Sequence, residues 1–219
     1  MAPGEIAAWP RVLGEDATLD RVAAGASLAR FGDGEMKCAK GFGYSSQRPD
    51  PSMARELCRI LLDPSPGCLP AIPTMDPRSP RFEFWPKHAA RFLTILDVGR
   101  VYGSAFVGRP DVSPWIDTAD YIRKFRGLWR GRGVAIVASA DNTAWHMARD
   151  AARIVCPATD AYAAIGMLER ACLEARPDIV LIAAGPTATC LADRLARRCL
   201  HAIDIGKAPR WLAKRRNVI

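Results

Sequence analysis

Two periodicities alternate along the second half of this 219-residue chain. Short apolar runs, Gly133 to Ser139 (GVAIVAS) and Asp178 to Ala184 (DIVLIAA), are rich in β-branched residues and bounded by polar ones, which is the pattern of buried strands. Over Asn142 to Ala152, Ala161 to Ala175 and Thr187 to Cys199 the apolar residues recur at helical spacing, with Thr159 or Asp160 placed to cap the second stretch. Arg153 to Cys156 and His201 to Ile205 read as two further strands. Strands alternating with helices of this length predict βαβ units and a parallel sheet.

The first half carries the same alternation more faintly. Thr18 to Ala24 reads as a helix closed by Gly25, and Ser27 to Phe31 as a strand. Asp50-Pro51 opens a helix running to about Leu62, with Asp as cap and Pro in the first turn. Leu69 to Ile72 and Arg100 to Val107 are the remaining strand candidates. Helices are expected over Pro86 to Leu96 and from Ser113-Pro114 to near Trp129. Proline clusters at Asp63 to Pro80 and Arg109 to Pro114 mark loops, so residues 1–219 are expected to form a single α/β domain.

Composition changes this picture only at its edges. With 49% hydrophobic and 25% charged residues, the chain is an ordinary globular sequence rather than a disordered one. No apolar run approaches the roughly 20 residues that span a bilayer, and Met1 to Trp9 lacks a signal-peptide pattern, so a cytoplasmic location is expected. The seven cysteines include no CxxC pair and are expected to be reduced and mostly buried. The net charge of +8 needs an anionic counterpart: nucleic acid, a membrane, or a phosphorylated small molecule. Helix-turn-helix, zinc-finger and RNP patterns are absent, so no nucleic acid partner is expected and a basic nucleic-acid-binding module is the weakest reading. From about residue 207 onward a basic tail (Lys207, Arg210, Lys214, Arg215 and Arg216, with no acid) is either solvated or a peripheral contact with anionic lipid at the inner membrane face.

Candidate chemistry collects at strand exits. Arg30-Phe31-Gly32-Asp33-Gly34-Glu35 follows the first strand. Gly32 and Gly34 let the backbone turn sharply against a ligand, Arg30 offers a fork of donors to phosphate, and Asp33 and Glu35 are oxygen donors suited to one hard cation. An ordinary acidic turn has the same spacing. Between the strongest strand and a helix, Gly185 and Pro186 make a tight exit and Thr187 is placed to cap, leaving backbone N–H groups open to an anion. Neither GK[ST] nor GxGxxG is present there. Val107-Gly108-Arg109-Pro110, Ser139-Ala140-Asp141-Asn142 and Asp204-Ile205-Gly206-Lys207 are three more polar exits. Each is weak alone, but in a parallel sheet all five would lie along one edge as a composite site. The histidines His88, His146 and His201 have no metal-ligand spacing.

The ordered set SLARFGDGE, SAFVGRPDV, WRGRGVAIV, RIVCPATDAY, VLIAAGPTATCLADRLA and HAIDIG resembles the GT-D glycosyltransferases over most of the chain, from about Ser27 to Gly206. The resemblance implies a Rossmann-like, mostly parallel sheet with helices on both faces. It implies transfer of a hexose from a nucleotide-diphosphate sugar, UDP-linked by preference, to a glycan or lipid-linked glycan. Asp33 and Glu35 match the family's Asp-x-Glu motif, associated with Mn²⁺ or Mg²⁺ and donor binding. Donor contacts are then expected from Arg30, Gly32, Gly34, Arg109, Asn142, Gly185, Pro186, Thr187, Asp204 and Lys207. Two departures stand out. Lys207 follows the final Asp-Ile-Gly where the family usually has His, and Ala138-Ser139-Ala140-Asp141 lacks the usual glutamate. A protonated lysine cannot ligate a metal, so weak metal dependence is expected, with a catalytically inactive nucleotide-sugar-binding protein as the alternative.

Overall fold

The computed structural model describes residues 9–75, 84–109 and 118–214. Seven strands form one parallel sheet: β1 (Ser27–Arg30), β2 (Cys68–Ile72), β3 (Gly103–Ser104), β4 (Val134–Ala138), β5 (Ala152–Val155), β6 (Ile179–Ala183) and β7 (Ala202–Asp204). They lie in the order β3-β2-β1-β7-β6-β4-β5. The expected α/β architecture is therefore present.

Helices cover both faces, and the two-residue alternation of the strands sorts the core between them. Val137, Val180, Ile182 and Ala202 face one apolar layer, closed by α2 (Asp33–Ala39), α3 (Pro51–Leu62), α4 (Phe84–Leu93), α6 (Ile165–Ala175) and α7 (Pro186–Arg197). Their neighbours Ile136, Ile179, Leu181 and Ile203 face the other, closed by α1 (Glu15–Ala23), α5 (Thr118–Gly127) and α8 (Ala208–Ala213). Among the described residues no helix is long and apolar enough to cross a membrane.

Four boundaries differ from the sequence expectation, each for a visible reason. Asn142 to Ala152 is not an α-helix: a 3-10 turn at Thr143–His146 is capped by Asn142, and the chain enters β5 at once. The Trp145 indole donates to the carbonyls of Ser139 and Ala140, at 2.9 Å each, which holds the turn against the end of β4. The strand expected over Arg100 to Val107 shrinks to two residues, because Ser104 Oγ accepts from Phe106 N and starts a 3-10 turn, Ala105–Gly108. Asp160 does not cap α6; it adopts φ 52° and its carboxylate binds Arg48 instead. The basic tail is in part a docked helix, since Trp211 and Leu212 of α8 are buried in the second layer. The helix start expected at Ser113-Pro114, and Arg215 and Arg216, lie outside the described residues. All seven cysteines are free, with Cys38, Cys156, Cys172 and Cys190 buried and Cys199 exposed.

Helix α7 is the mast of the first layer, with ten of its twelve residues buried. Asp193 on it is fully buried and accepts from Ser65 N at 2.7 Å, from Ser65 Oγ at 2.9 Å and from Arg59. It thereby ties α7 to α3 and to the loop entering β2. Removing one partner of a buried charge leaves the others unsatisfied. Asp193→Ala is expected to lower the unfolding free energy by about 3–5 kcal/mol, measured by urea denaturation. A loss below about 1 kcal/mol would show the contact to be peripheral.

Candidate functional site

All five polar strand exits open on one cleft of about 540 Å³ at the carboxyl ends of the strands. Arg30, Gly32, Asp33, Gly34, Glu35, Arg109, Asn142, Gly185, Pro186, Asp204 and Lys207 all line it. Thr187 does not. It is the second residue of α7, fully buried, and its hydroxyl has no partner, so it neither caps the helix nor lines the cleft.

The cleft is organised around a buried guanidinium. Arg30 leaves the end of β1 and donates through Nε to Ala105 O at 2.8 Å, while Nη1 lies 3.5 Å from Asp204 Oδ1 at the end of β7. Thr189 of α7 donates to Arg30 O at 2.7 Å, and Gly206 N donates to Asp204 Oδ1 at 2.9 Å. Two glycines press against the guanidinium. A Cβ on Gly108 would stand 2.6 Å from Nε, and one on Gly206, which also has φ +50°, would stand 2.0 Å from Nη1. Arg30 lines the cleft, yet two of its nitrogens face protein acceptors, so it joins the exits of β1, β3 and β7 rather than standing open as a phosphate fork.

Asp33 and Glu35 both lie in the first turn of α2, a helix that the sequence did not suggest. Because Asp33 begins α2, residues two apart project in different directions. Glu35, three residues past the Gly32 cap, turns back to accept from Gly32 N at 2.7 Å, as in a capping box. Burial pushes its carboxyl from the ordinary 4.5 up to about 7; the nearby Asp204 charge adds to the rise and Arg30 opposes it. Burial also raises the Asp204 carboxyl, against the pull of Arg30. Asp33 instead accompanies Tyr44. Burial, then the charges of Asp33 and Glu35, raise the Tyr44 phenol, and Arg109 lowers it. The Tyr44 ring sits on Gly34, where a Cβ would come within 2.8 Å of it.

Among the described residues no group of three or more His, Cys, Asp or Glu side chains is arranged to hold a metal ion. One oxygen of Glu35 is taken by the helix cap, and Lys207 occupies the rim without an ion pair to Asp33 or Glu35. The elements of the lining that could meet an anion are the start of α7, where Gly185 (φ +56°) turns the chain into Pro186, together with Arg109 and Lys207. Asn142 is held by its own turn, accepting from Ala144 N at 2.9 Å and reaching Ala183 O at 3.5 Å.

Tyr44, Ser45, Ser46, Trp85 and Phe106 also line the cleft. Sequence reasoning missed Tyr44, Ser45, Ser46 and Trp85 because they follow no strand, and Phe106 because it read as the interior of one. The only signal was the polar stretch GYSSQRP between α2 and α3.

The sequence profile of the glycosyltransferase GT-D fold matches residues 28–210. This chain belongs to the GT-D family. It is 32% identical over 218 residues to the probable glycosyl transferase Gly of Streptococcus gordonii, covering 89% of this chain and 31% of that protein. Against glycosyltransferase GlyD of Streptococcus pneumoniae serotype 4 it is 29% identical, covering 90% of this chain and 26% of that protein. The chain thus spans a third or less of these curated relatives. A solved glycosyltransferase from Streptococcus sanguinis superposes with a TM-score of 0.82 at 28% identity, covering 94% of this chain and 85% of that one. A solved structure described as a distinct glycosyltransferase fold gives the same TM-score at 26% identity, over 94% of this chain and 83% of that one.

Burial of the Glu35 carboxyl makes the stability of this fold depend on pH, and the sign follows from the direction of the shift. A carboxyl whose folded pKa is raised favours the fold while protonated, and that contribution fades as pH climbs from 4.5 toward 7. Glu35→Gln keeps the cap acceptor and removes the charge. Its melting temperature is expected to match the wild type near pH 4 and exceed it by several degrees near pH 8. Parallel melting curves across that range would place Glu35 in a solvated environment.

Proposed function

We propose that this chain transfers a hexose from a nucleotide-diphosphate sugar, UDP-linked by preference, to a hydroxyl of a glycan or lipid-linked glycan. One observation carries the reading: the start of α7, Arg109 and Lys207 line the same cleft as Asp33 and Glu35. The difficult step in such a transfer is departure of the nucleoside diphosphate, whose oxygens gain charge in the transition state. Donors aimed where that charge develops stabilise the transition state more than the ground state. In this proposal the backbone N–H groups of α7, with Arg109 and Lys207, hold the diphosphate. Glu35, poised near neutral pH, takes the proton of the attacking hydroxyl. Asp33, with Tyr44 beside it, orients the sugar. A lipid-linked acceptor would bring the chain to a membrane face, where Lys214, Arg215 and Arg216 would each contribute about 1 kcal/mol on anionic lipid.

The test is a thermal-shift screen of UDP-, GDP-, TDP- and CMP-sugars followed by turnover of the best ligand. A UDP-sugar at 100 times its Kd is expected to stabilise the fold by about 2.7 kcal/mol. Asp33→Asn and Glu35→Gln should each lower kcat by about 100-fold or more without loss of folding. Near-normal turnover in both variants removes the site assignment. Binding without turnover in the wild type would make the chain a nucleotide-sugar-binding protein.

Lys207 yields a separate expectation. Its ammonium at the rim would neutralise part of the diphosphate charge that a cation otherwise carries. Wild-type turnover is expected to survive EDTA, and Lys207→His to become chelator-sensitive. Complete loss of wild-type activity in EDTA, restored by Mn²⁺, overturns this charge-replacement account.

A further inference from the structure

A second open groove, of about 750 Å³, lies beside the cleft. The two share Tyr44, Ser45 and Ser46 as a common wall. The far side of the groove is built by Thr159 and Asp160, ahead of α6, and by Lys37 of α2. Nothing in the donor-site reading uses it.

The wall is stiff before any ligand arrives. Tyr44 and Gln47 exchange backbone hydrogen bonds at 2.7 Å each, and Asp160 N donates to Ser46 O at 2.8 Å. Arg48 donates to both oxygens of Asp160, from its backbone N at 2.7 Å and its Nε at 2.8 Å. The loop is therefore pinned to a segment more than a hundred residues away, and little ordering remains to be done on binding.

The chemistry of the groove is lopsided. The hydroxyls of Ser45, Ser46 and Thr159 and the ammonium of Lys37, which lies 5.5 Å from the Tyr44 ring centre, have no hydrogen-bond partner among the described residues. Asp160 is the one carboxylate in the lining, and Arg48 engages both of its oxygens. A neutral sugar offers donors and acceptors in equal measure. The three hydroxyls can donate or accept, so the bias comes from charge: Lys37 and Arg48 against the single Asp160 carboxylate leave the lining net positive, which suits a group made only of acceptors.

We infer that this groove is the acceptor subsite, and that it takes a saccharide bearing an anionic group, phosphate or carboxylate, near the accepting hydroxyl. The inference rests on the reading of the neighbouring cleft as the donor site. Tyr44 is the partition: its ring lies on Gly34, between Asp33 and Glu35 in the chain, so a sugar seated against Ser45 and Ser46 sits beside the carboxylates. Lys37 and Arg48 then hold the charged end away from the donor diphosphate.

The experiment follows backbone amide shifts of the full chain by NMR in the presence of UDP. Three probe sets are titrated: hexose 1-phosphates, hexuronates and the matching methyl hexosides. One charge-assisted hydrogen bond corresponds to about a tenfold gain in affinity. The phosphates or the hexuronates are therefore expected to shift the Ser45, Ser46 and Thr159 amides at about tenfold lower concentration than the methyl hexosides. Whichever anion is stronger identifies the source: a phosphate-linked sugar in one case, an acidic glycan in the other. Lys37→Met should remove the anion preference, and Thr159→Trp, at an exposed position outside the donor cleft, should abolish the shifts altogether. The rise in melting temperature with nucleotide sugar is the control for both variants. Equal potency of methyl hexosides and anionic sugars, shifts that survive Thr159→Trp, or no shift with any probe overturns the inference. Lack of stabilisation by nucleotide sugars in the wild type would count against the donor site alone, because the amide shifts are read independently of it.

Discussion

A guanidinium buried at the end of β1 sets the geometry of everything around it. Taking a charge from water costs several kcal/mol unless it is paired and its donors are satisfied. Arg30 meets that condition with Asp204, Ala105 O and close packing by Gly108 and Gly206. These partners come from two other strand exits, those of β3 and β7. The ion pair is longer than an ideal contact, at 3.5 Å, so Coulomb attraction alone is a poor account of its strength. The more durable constraint is steric. No side chain fits at residue 206 without displacing Arg30, and Gly206 already occupies a left-handed backbone conformation. The β7 exit therefore passes the guanidinium closely and delivers Lys207 to the rim of the same cleft.

The same buried group separates two carboxylates that look equivalent in sequence. Glu35 shares its surroundings with Arg30 and Asp204, two acids to one base, and burial with that imbalance raises its pKa to about 7. Asp33, two residues earlier on the cleft wall, keeps company with Tyr44. Divergent environments for paired acids are how one site holds a proton acceptor and an orienting anion at the same pH. The proposed division of those roles depends on α2 beginning at Asp33, since a helix sends residues two apart to different neighbours.

Much of this fold was legible because buried strands announce themselves by composition. GVAIVAS and DIVLIAA, and the Asp50-Pro51 helix start, appear within a residue or two of their expected bounds. The convergence of five polar exits followed from the rule that parallel strands share a carboxyl edge. What stayed hidden depended on long-range partners. Phe106 and Ala105 read as strand until Ser104 and Arg30 divert them, and Asp160 reads as a cap until Arg48, 112 residues away, claims its carboxylate. Helix α2 was invisible for a different reason. Its first turn contains a glycine, a poor helix former, and it forms because Gly34 is covered by Tyr44 and Glu35 closes the cap.

The net charge of +8 suggested an anionic counterpart, but its global value is less informative than its distribution. Many arginines have partners within the chain: Arg30 with Asp204, Arg59 with Asp193, Arg194 with Glu56 and Arg48 with Asp160. Three of these pairs tie elements of the sheet and helices together, and the fourth pins the loop that divides the two cavities. Their contribution is structural, and they offer a passing polyanion little. At the strand edge the basic groups are few, Lys207 and Arg109 lining the same cleft as the start of α7, on the scale of one diphosphate rather than of a nucleic-acid backbone. Over a Debye length of about 8 Å at physiological ionic strength, charges elsewhere on the surface are largely screened from that edge. In the proposed reading, preference for a small phosphorylated ligand comes from the placement of Arg109 and Lys207 beside the start of α7, and the excess of basic residues in the sequence is only its distant sign.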